Sequence, residues 1–387
     1  MSEWKEVKLG EISSTIQTGP FGSQLHQSDY SDIGVPVVMP KDIINGSIDE
    51  STIARVESHH VERLSRHKIS EGDILYARRG DVGKCAYTVF SQQGWLCGTG
   101  CLRVTIDKEK ALPKFVFFQL QKRETIGWVE KHAIGATMLN LNTSILSDVP
   151  IELPSLSTQH RIAIILSRYD SLIENYQKQI KLLEEAAQRL YKEWFVDLHF
   201  PGHENTKIVD GVPEGWMPSK LGQLAEFKRG KTITKKEVVE GAIPVVAGGL
   251  EPAYYCNKSN TAERVITVSG SGANAGFTRM YFEKIWASDC SFMDSSTSSY
   301  LHYVYCFLKN NKTTIDNMQK GAAQPHVYAK DINMMEICIP AESVLKSFEK
   351  KASKYYDTIS SLQSQIRILT EARDRLLPKL MSGEIAV

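Results

Sequence analysis

At 387 residues the chain is long for one hydrophobic core, and domains of about 100–200 residues make two units plus something extended the natural division. Its 42% hydrophobic and 24% charged residues exclude an intrinsically disordered protein, and no apolar run approaches the roughly 20 residues of a membrane span. A formal charge of +1 excludes a protein that grips nucleic acid by bulk charge alone, although acidic helices can cancel basic loops in that sum and a partner can supply positive charge.

In chain order, the first signal is Trp4-x-x-x-Lys8-Leu9-Gly10-x-Ile12, a frame that returns 212 residues later as Trp216-x-x-x-Lys220-Leu221-Gly222-x-Leu224. Strands are expected at Val35–Met39, Asp73–Ala77 and Leu102–Ile106, and a helix at 113–121. The Gly135-Ala136 loop and the run Val149-Pro150-Ile151-Glu152-Leu153-Pro154 then reappear, 186 residues on, as Gly321-Ala322 and Met335-Glu336-Ile337-Cys338-Ile339-Pro340. The second copy has its own expected strands at 243–246 and 264–268 and a helix at 299–309. The first copy therefore carries about 26 extra residues, the difference between the two offsets. Matching ends around a differing centre imply one scaffold bearing different loops, and loops are where binding specificity usually sits.

After each closing proline comes a long stripe with three- and four-residue steps. In the first copy it runs through Ile162, Ile165, Tyr169, Leu172, Tyr176, Ile180, Leu183, Ala187, Leu190 and Trp194, with one extra residue between Tyr176 and Ile180. The second passes through Leu345, Phe348, Ala352, Tyr355, Ile359, Leu362, Ile366, Leu369, Leu376 and Leu380, with one slot on Arg373. Such spacing marks a narrow coiled-coil seam, and two helices of about 40 residues, each about 60 Å long, are expected to pack on one another. The Gly-, Pro- and charge-rich stretch from Pro201 to Gly215 reads as an exposed link. The last helix is expected to stop at Leu377-Pro378 or at the glycine of Met381-Ser382-Gly383. The expected fold is thus α+β: two mixed, β-rich domains (1–154 and 201–340) separated by two long helices (155–200 and 341–387) in an antiparallel coiled coil, with a pseudo-twofold internal repeat.

Several catalytic motifs fail on inspection. Lys228-Arg229-Gly230-Lys231-Thr232 holds the Gly-Lys-Thr of a phosphate loop, but Ala225 stands where that loop needs its first glycine. Gly270-Ser271-Gly272-Ala273-Asn274-Ala275 fits a dinucleotide fingerprint, yet Gly276–Phe282 reads as a strand where a helix should open, so the turn is a tight connection. There is no Asn/Asp-Pro-Pro-aromatic run and no nuclease Asp…Glu-x-Lys cluster, and the adjacent His59 and His60 lack a placed acid. Seven cysteines include no Cys-x-x-Cys pair; Cys97 and Cys101 stand closest, with no histidine at metal spacing. Reduced thiols, a cytoplasmic setting and no metal are therefore expected.

What remains suits reading a polymer. Arg78-Arg79-Gly80-Asp81-Val82-Gly83-Lys84 follows a strand in the first copy, and the second has Lys228-Arg229-Gly230-Lys231 and Lys235-Lys236. Arginine makes paired bonds to guanine edges, lysine holds phosphates, and Asn and Gln pair with adenine. The candidate DNA contacts are Ser23, Gln24, Arg78, Arg79, Lys84, Thr99, Thr137, Asn140 and Asn142 in one half. In the other they are Lys228, Arg229, Lys231, Thr232, Lys235, Ser271, Asn274, Gln324 and His326.

The order domain, helix, domain, helix resembles the specificity subunit of Type I restriction-modification enzymes over essentially the whole chain. Four segments carry the likeness. They are Glu71-Gly72-Asp73-Ile74-Leu75-Tyr76-Ala77-Arg78; Ile151-x-Leu153-Pro154 with Gln159-x-Arg161-Ile162; Trp194-Phe195-Val196-Asp197 with Pro213-x-Gly215-Trp216; and Leu377-Pro378-Lys379-Leu380-Met381-Ser382-Gly383-Glu384-Ile385. The second junction departs from the pattern, since Gln-x-Arg is missing after Pro340. The resemblance implies a non-catalytic DNA-recognition subunit in the prokaryotic cytoplasm. Each of its domains would enter the major groove of double-stranded DNA over one half of a bipartite site, with the helices setting the spacing. It implies two adenine methyltransferase subunits as partners, with translocating nuclease subunits as further ones. S-adenosylmethionine would be bound by the methyltransferase and no cofactor by this chain. Two other readings stay open on the residues alone: a self-contained methyltransferase or nuclease with an unrecognised site, and a coiled-coil scaffold that never touches DNA.

Overall fold

The computed structural model describes residues 4–135, 138–320 and 325–387. The chain divides into two compact units, Met1–Ile173 with Ile368–Val387 (unit 1) and Glu174–Arg367 (unit 2). Each long helix contributes one end to each unit. No helix among the described residues is long and apolar enough to cross a membrane.

The repeat visible in the sequence is a repeat of structure, with additions in unit 1. In unit 1 the strand Lys5–Lys8 pairs antiparallel with Pro150–Leu153, Lys5 opposite Leu153. In unit 2 Met217–Lys220 pairs the same way with Glu336–Ile339, Met217 opposite Ile339, so the offsets of 212 and 186 meet in one hairpin-like ladder. A four-stranded antiparallel sheet follows in each. Its order is Ser13–Thr18, Cys101–Ile106, Ile74–Ala77, Cys85–Tyr87 in unit 1 and Lys228–Arg229, Cys290–Asp294, Val265–Ser269, Thr278–Tyr281 in unit 2. Beside it lies a smaller sheet whose central strand reads Val-Pro-Val-Val (35–38) or Ile-Pro-Val-Val (243–246). One neighbour of that strand is parallel, Leu96–Cys97 or Trp286–Ala287, and the other antiparallel, Ala54–Val56 or Tyr254–Cys256. Unit 1 adds the strand Tyr30–Ser31 and the hairpin Ile43–Ile44/Ser47–Ile48, so its extra residues are spread over several loops.

The long helices run unbroken over Leu156–Phe195 and Glu342–Met381, 40 residues each. Within each unit their segments lie antiparallel: Arg373 meets Asp170 in unit 1, and Phe348 meets Phe195 in unit 2. Pro378 sits within the last turn of the second helix, and Gly383, at φ +74°, turns the chain just beyond it.

Burial corrects the first stripe at two positions, Ile165 and Leu172. Leu172 is 41% exposed and faces away, while Ile173 is half-buried. Reading Ile162, Leu166, Tyr169, Ile173, Tyr176, Ile180, Leu183, Ala187 and Leu190 gives alternating steps of four and three, and the apparent extra residue disappears. Ile165 packs half-buried on the unit 1 core beside the fully buried Leu166. Leu190 and Tyr355 are half-buried beside the fully buried Tyr191 and Tyr356, because each helix end serves a domain core as well as the seam. Phe348, Ile359 and Leu362 are buried as expected, and Tyr176, Leu183, Ile366, Leu369 and Leu376 half-buried.

Six of the seven cysteines are buried and Cys338 is half-buried; none is disulfide-bonded. Burial pushes the thiols of Cys85, Cys97, Cys290 and Cys306 up to about 12, and thiolate is the reactive form. Iodoacetamide at neutral pH is therefore expected to label Cys338 alone on the native protein and all seven cysteines in urea, counted by mass. Rapid native labelling of the other six would refute this packing.

Candidate nucleic-acid interface

In unit 1 three loops meet at one end of the four-stranded sheet. The strand Ile74–Ala77 runs out at Arg78, whose backbone N–H donates to Gly100 O (2.7 Å) and whose C=O accepts from Leu141 N (2.8 Å). Gly80, at φ +76°, turns the chain and donates to Leu139 O (3.2 Å). Gly19 N–H reaches Cys101 O (2.9 Å), and a Cβ on Gly19 would overlap the Gly98 carbonyl, so only glycine lets these two backbones touch.

The side chains at this end are unusual in what they lack. Five buried side-chain polar atoms among the described residues have no hydrogen-bond partner, and three of them belong to residues of this sheet end: Arg78 Nε, Thr99 Oγ1 and Asn140 Oδ1. Each such atom costs about 1–3 kcal/mol, so three on neighbouring backbone segments are an uncommon concentration. The Arg78 guanidinium lies 5.8 Å from the ring centre of Phe21, which is 53% exposed. Arg79 is exposed, and Lys84 pairs with Asp81 at 2.9 Å on the surface.

Other expected contacts hold local structure. Gln24 Oε1 accepts from Phe21 N–H (3.2 Å), and its backbone carbonyl accepts from the Arg63 guanidinium (2.8 Å), beside the exposed Ser23. Asn142 Oδ1 caps the helix Thr143–Ser147 by accepting from Ile145 N–H (2.8 Å), the usual role of asparagine before a helix. Thr137 lies outside the described residues.

Unit 2 builds the same corner from different residues. Gly230 N–H donates to Cys290 O (2.8 Å), as Gly19 does to Cys101, and a Cβ there would overlap Ser288 O. Gly270 N–H donates to Asp289 O (3.1 Å) and Gly270 O accepts from Val327 N (3.1 Å), as Arg78 does with Gly100 and Leu141. Gly272, at φ +78°, repeats Gly80, and His326 bridges Lys320 and Ser271 as Asn140 bridges Ile134 and Arg79.

This pairing sets the two basic runs on loops that are not equivalent. The basic run Lys228–Lys231 is the counterpart of Gln17–Pro20, and Arg78-Arg79-Gly80 is matched by Gly270-Ser271-Gly272. The glycine-rich turn at 270–275 connects two antiparallel strands, with Val268 opposite Thr278, and no helix opens after it to face a nucleotide.

Lys228, Arg229, Lys231, Thr232 and Lys235 are all exposed. The Lys231 backbone is fixed at both ends, its N–H donating to Ala287 O (2.9 Å) and its C=O accepting from Trp286 Nε1 (2.7 Å). Glu237 accepts from the Thr234 N–H and hydroxyl (2.8 Å each), closing the turn that displays Lys235 and Lys236. Ser271 donates its hydroxyl to the Asp289 carboxylate. Asn274 ends the short turn, half-buried, and His326 stacks on Tyr328 at 5.9 Å. Gln324 lies outside the described residues.

Sequence reasoning passed over Phe21 and Asp289. Both sit beside glycine-anchored loops, and matching Gly19 to Gly230 would have found them. No group of three or more His, Cys, Asp or Glu among the described residues is placed to hold a metal.

The chain matches the family described as the Type I restriction modification DNA specificity domain over residues 1–185 and again over 213–373, once for each repeat. It is 27% identical over 414 residues to the Type I restriction enzyme MjaIX specificity subunit of Methanocaldococcus jannaschii, covering 100% of this chain and 94% of that one. It is 22% identical to the HindI specificity subunit of Haemophilus influenzae, with both chains covered in full. Among solved structures, the Type I restriction-modification S subunit from M. genitalium superposes with a TM-score of 0.59 at 19% identity, over 98% of this chain and 96% of that one, a likeness of fold. A repeated scaffold with two differently furnished sheet ends, matched to one family copy by copy, makes this chain a member of the Type I restriction-modification DNA specificity family.

Proposed function

We propose that the chain is the DNA-reading, non-catalytic subunit of a Type I restriction-modification complex, and that the two equivalent sheet ends each read one half of a bipartite site through the major groove. The observation that carries this is the paired corner: one backbone scaffold, hydrogen bond for hydrogen bond, furnished with Arg78, Thr99 and Asn140 in one copy and with Ser271, Asp289 and His326 in the other. A duplicated fold needs no such difference for stability; a split and asymmetric target does.

In unit 1 the unpartnered Arg78, Thr99 and Asn140 are the proposed base contacts, with Arg79 and Lys84 toward phosphates. In unit 2 Ser271, Asp289, Asn274 and His326 face bases, and Lys228, Arg229, Lys231 and Lys235 hold phosphates. The unbroken helices replace a flexible tether, whose ends would wander, and so set the separation of the half-sites. Two adenine methyltransferase subunits, which bring S-adenosylmethionine and flip the target base, dock on this chain, and nuclease subunits join the modification complex. Base flipping and methyl transfer are therefore theirs.

Binding by the assembled complex is expected to weaken steeply with salt. The Lys231→Ala, Lys235→Ala variant should flatten the log–log slope by about 2 while preserving the preferred sequence. Gel shifts across a salt series check this, and an unchanged slope would remove these lysines from the phosphate contacts.

A further inference from the structure

The seam between the long helices differs at two places that the repeat makes equivalent. Both helices are 40 residues long and start 186 residues apart, at 156 and 342, so Asp170 corresponds to Tyr356 and Ala187 to Arg373. In unit 1 Arg373 Nη1 lies 2.9 Å from Asp170 Oδ1, and Lys114 Nζ lies 3.8 Å from Asp170 Oδ2, with all three side chains about three-quarters buried. In unit 2 Ala187 and Tyr356 are 0% and 2% exposed. The Cys306 thiol touches both, 4.0 Å from Ala187 O and 3.3 Å from the Tyr356 hydroxyl. Tyr356 also stacks at 4.9 Å on His302, the counterpart of Lys114. One place therefore joins a long cation to a short acid, and the other sets a large ring and a small alanine about one thiol.

We infer that this seam is keyed, so that each long helix accepts the helix of the other repeat and rejects a second copy of itself. Two first-repeat helices would set Ala187 against Asp170, leaving a void and an acid stripped of its arginine. Two second-repeat helices would drive Arg373 into space that Tyr356 already fills. Of the two acid partners of Arg373 only the adjacent Asp374 (2.9 Å) would follow it, since Asp170 is absent and Glu349 is committed to His302 Nδ1 (2.6 Å) and Tyr303 N–H (2.8 Å). Steric and charge mismatch then act together against both self-pairings, while the mixed pairing gives Asp170 its arginine and Tyr356 its small neighbour. The partner this surface fits is the other half of the same chain. An otherwise near-symmetric protein is thereby kept from assembling like with like into complexes with two identical recognition corners.

The test keeps the whole chain and cuts its one covalent link. A protease site placed in the exposed Asp210-Gly211 turn is cleaved, the nicked protein is unfolded in urea and refolded, and the pairings are counted by native mass spectrometry. Mixed pairs should exceed either self-pair by on the order of a hundredfold. A statistical mixture of all three would overturn the inference. Tyr356→Asp in the same nicked chain gives the second helix both an arginine and an acid, and second-half self-pairs should then appear; their absence counts against the key. If the nicked chain does not refold, the uncut chain decides. Arg373→Ala and Asp170→Ala should be non-additive in urea by at least about fivefold in the unfolding constant, and simple additivity would overturn the inference.

Discussion

Replacing Phe348 with alanine is expected to destabilise unit 2 by about 3–5 kcal/mol, the largest single effect predicted for this protein. Phe348 is 0% exposed and stands where the second long helix meets the end of the first. Its ring centre lies 5.0 Å from Phe195, 5.9 Å from Trp194, 6.2 Å from Tyr191 and 6.3 Å from Tyr303, mostly edge-on. Truncation removes both the transfer energy of the ring and the edge-to-face contacts, and the cavity is walled by rings already fixed by one another, so it cannot readily collapse. Leu172→Ala, on the exposed side of the first helix, should cost less than about 0.5 kcal/mol. Urea unfolding followed by tryptophan fluorescence separates the two. Comparable losses for both variants would mean that the seam is not where burial places it.

The second large effect falls on recognition. Arg78→Met keeps the length and the packing on Phe21 but removes every donor. Because Arg78 Nε is buried without a partner in the free protein, its loss should leave stability unchanged or slightly raised. In the assembled complex the same change should weaken binding to the cognate sequence by about 1–3 kcal/mol, roughly fivefold to a hundredfold, and relax preference within one half-site only. This opposition of signs is the useful part. A structural arginine would lose stability and binding together, whereas a base-reading one loses binding alone. Thermal unfolding and competition gel shifts on one preparation give both numbers, and a destabilised variant with intact specificity would make Arg78 a scaffold residue.

How much of this was legible beforehand follows from what each feature depends on. The terminal ladders and long helices were readable because their residues are fixed by burial on both copies. Trp4 and Trp216 mark one offset, and the closing runs Val149–Pro154 and Met335–Pro340 mark the other. The central strands were readable singly, but their equivalence was not. The offset shrinks loop by loop, from 208 at Val35/Ile243 to 200 at Val56/Cys256 and then to 192 at Gly80/Gly272. The basic runs at Arg78 and Lys228 therefore stand on loops that are not equivalent. Backbone contacts that demand glycine, at Gly19 and Gly230, reveal the true match, and a sequence shows a glycine without showing what presses on it.

Leu172 illustrates a different limit. Leu172 and Ile173 are both apolar and adjacent, so composition could not choose between them, and only a strict alternation of four and three favours Ile173. The candidate site was legible as residue types rather than as positions. Asn140 and Asn142 look interchangeable in the sequence, yet one has a buried oxygen without a partner and the other caps a helix.

Two base-reading corners on one repeated scaffold are tested most directly by mapping methylated adenines in DNA from cells that carry this chain with its methyltransferase, once with the natural sequence and once with Arg78→Met. The natural chain should yield a motif in two specified parts separated by unspecified bases, and the variant should loosen one part while leaving the other and the gap unchanged. A single continuous motif, or a variant that degrades both parts alike, would contradict the assignment of one half-site to each sheet end.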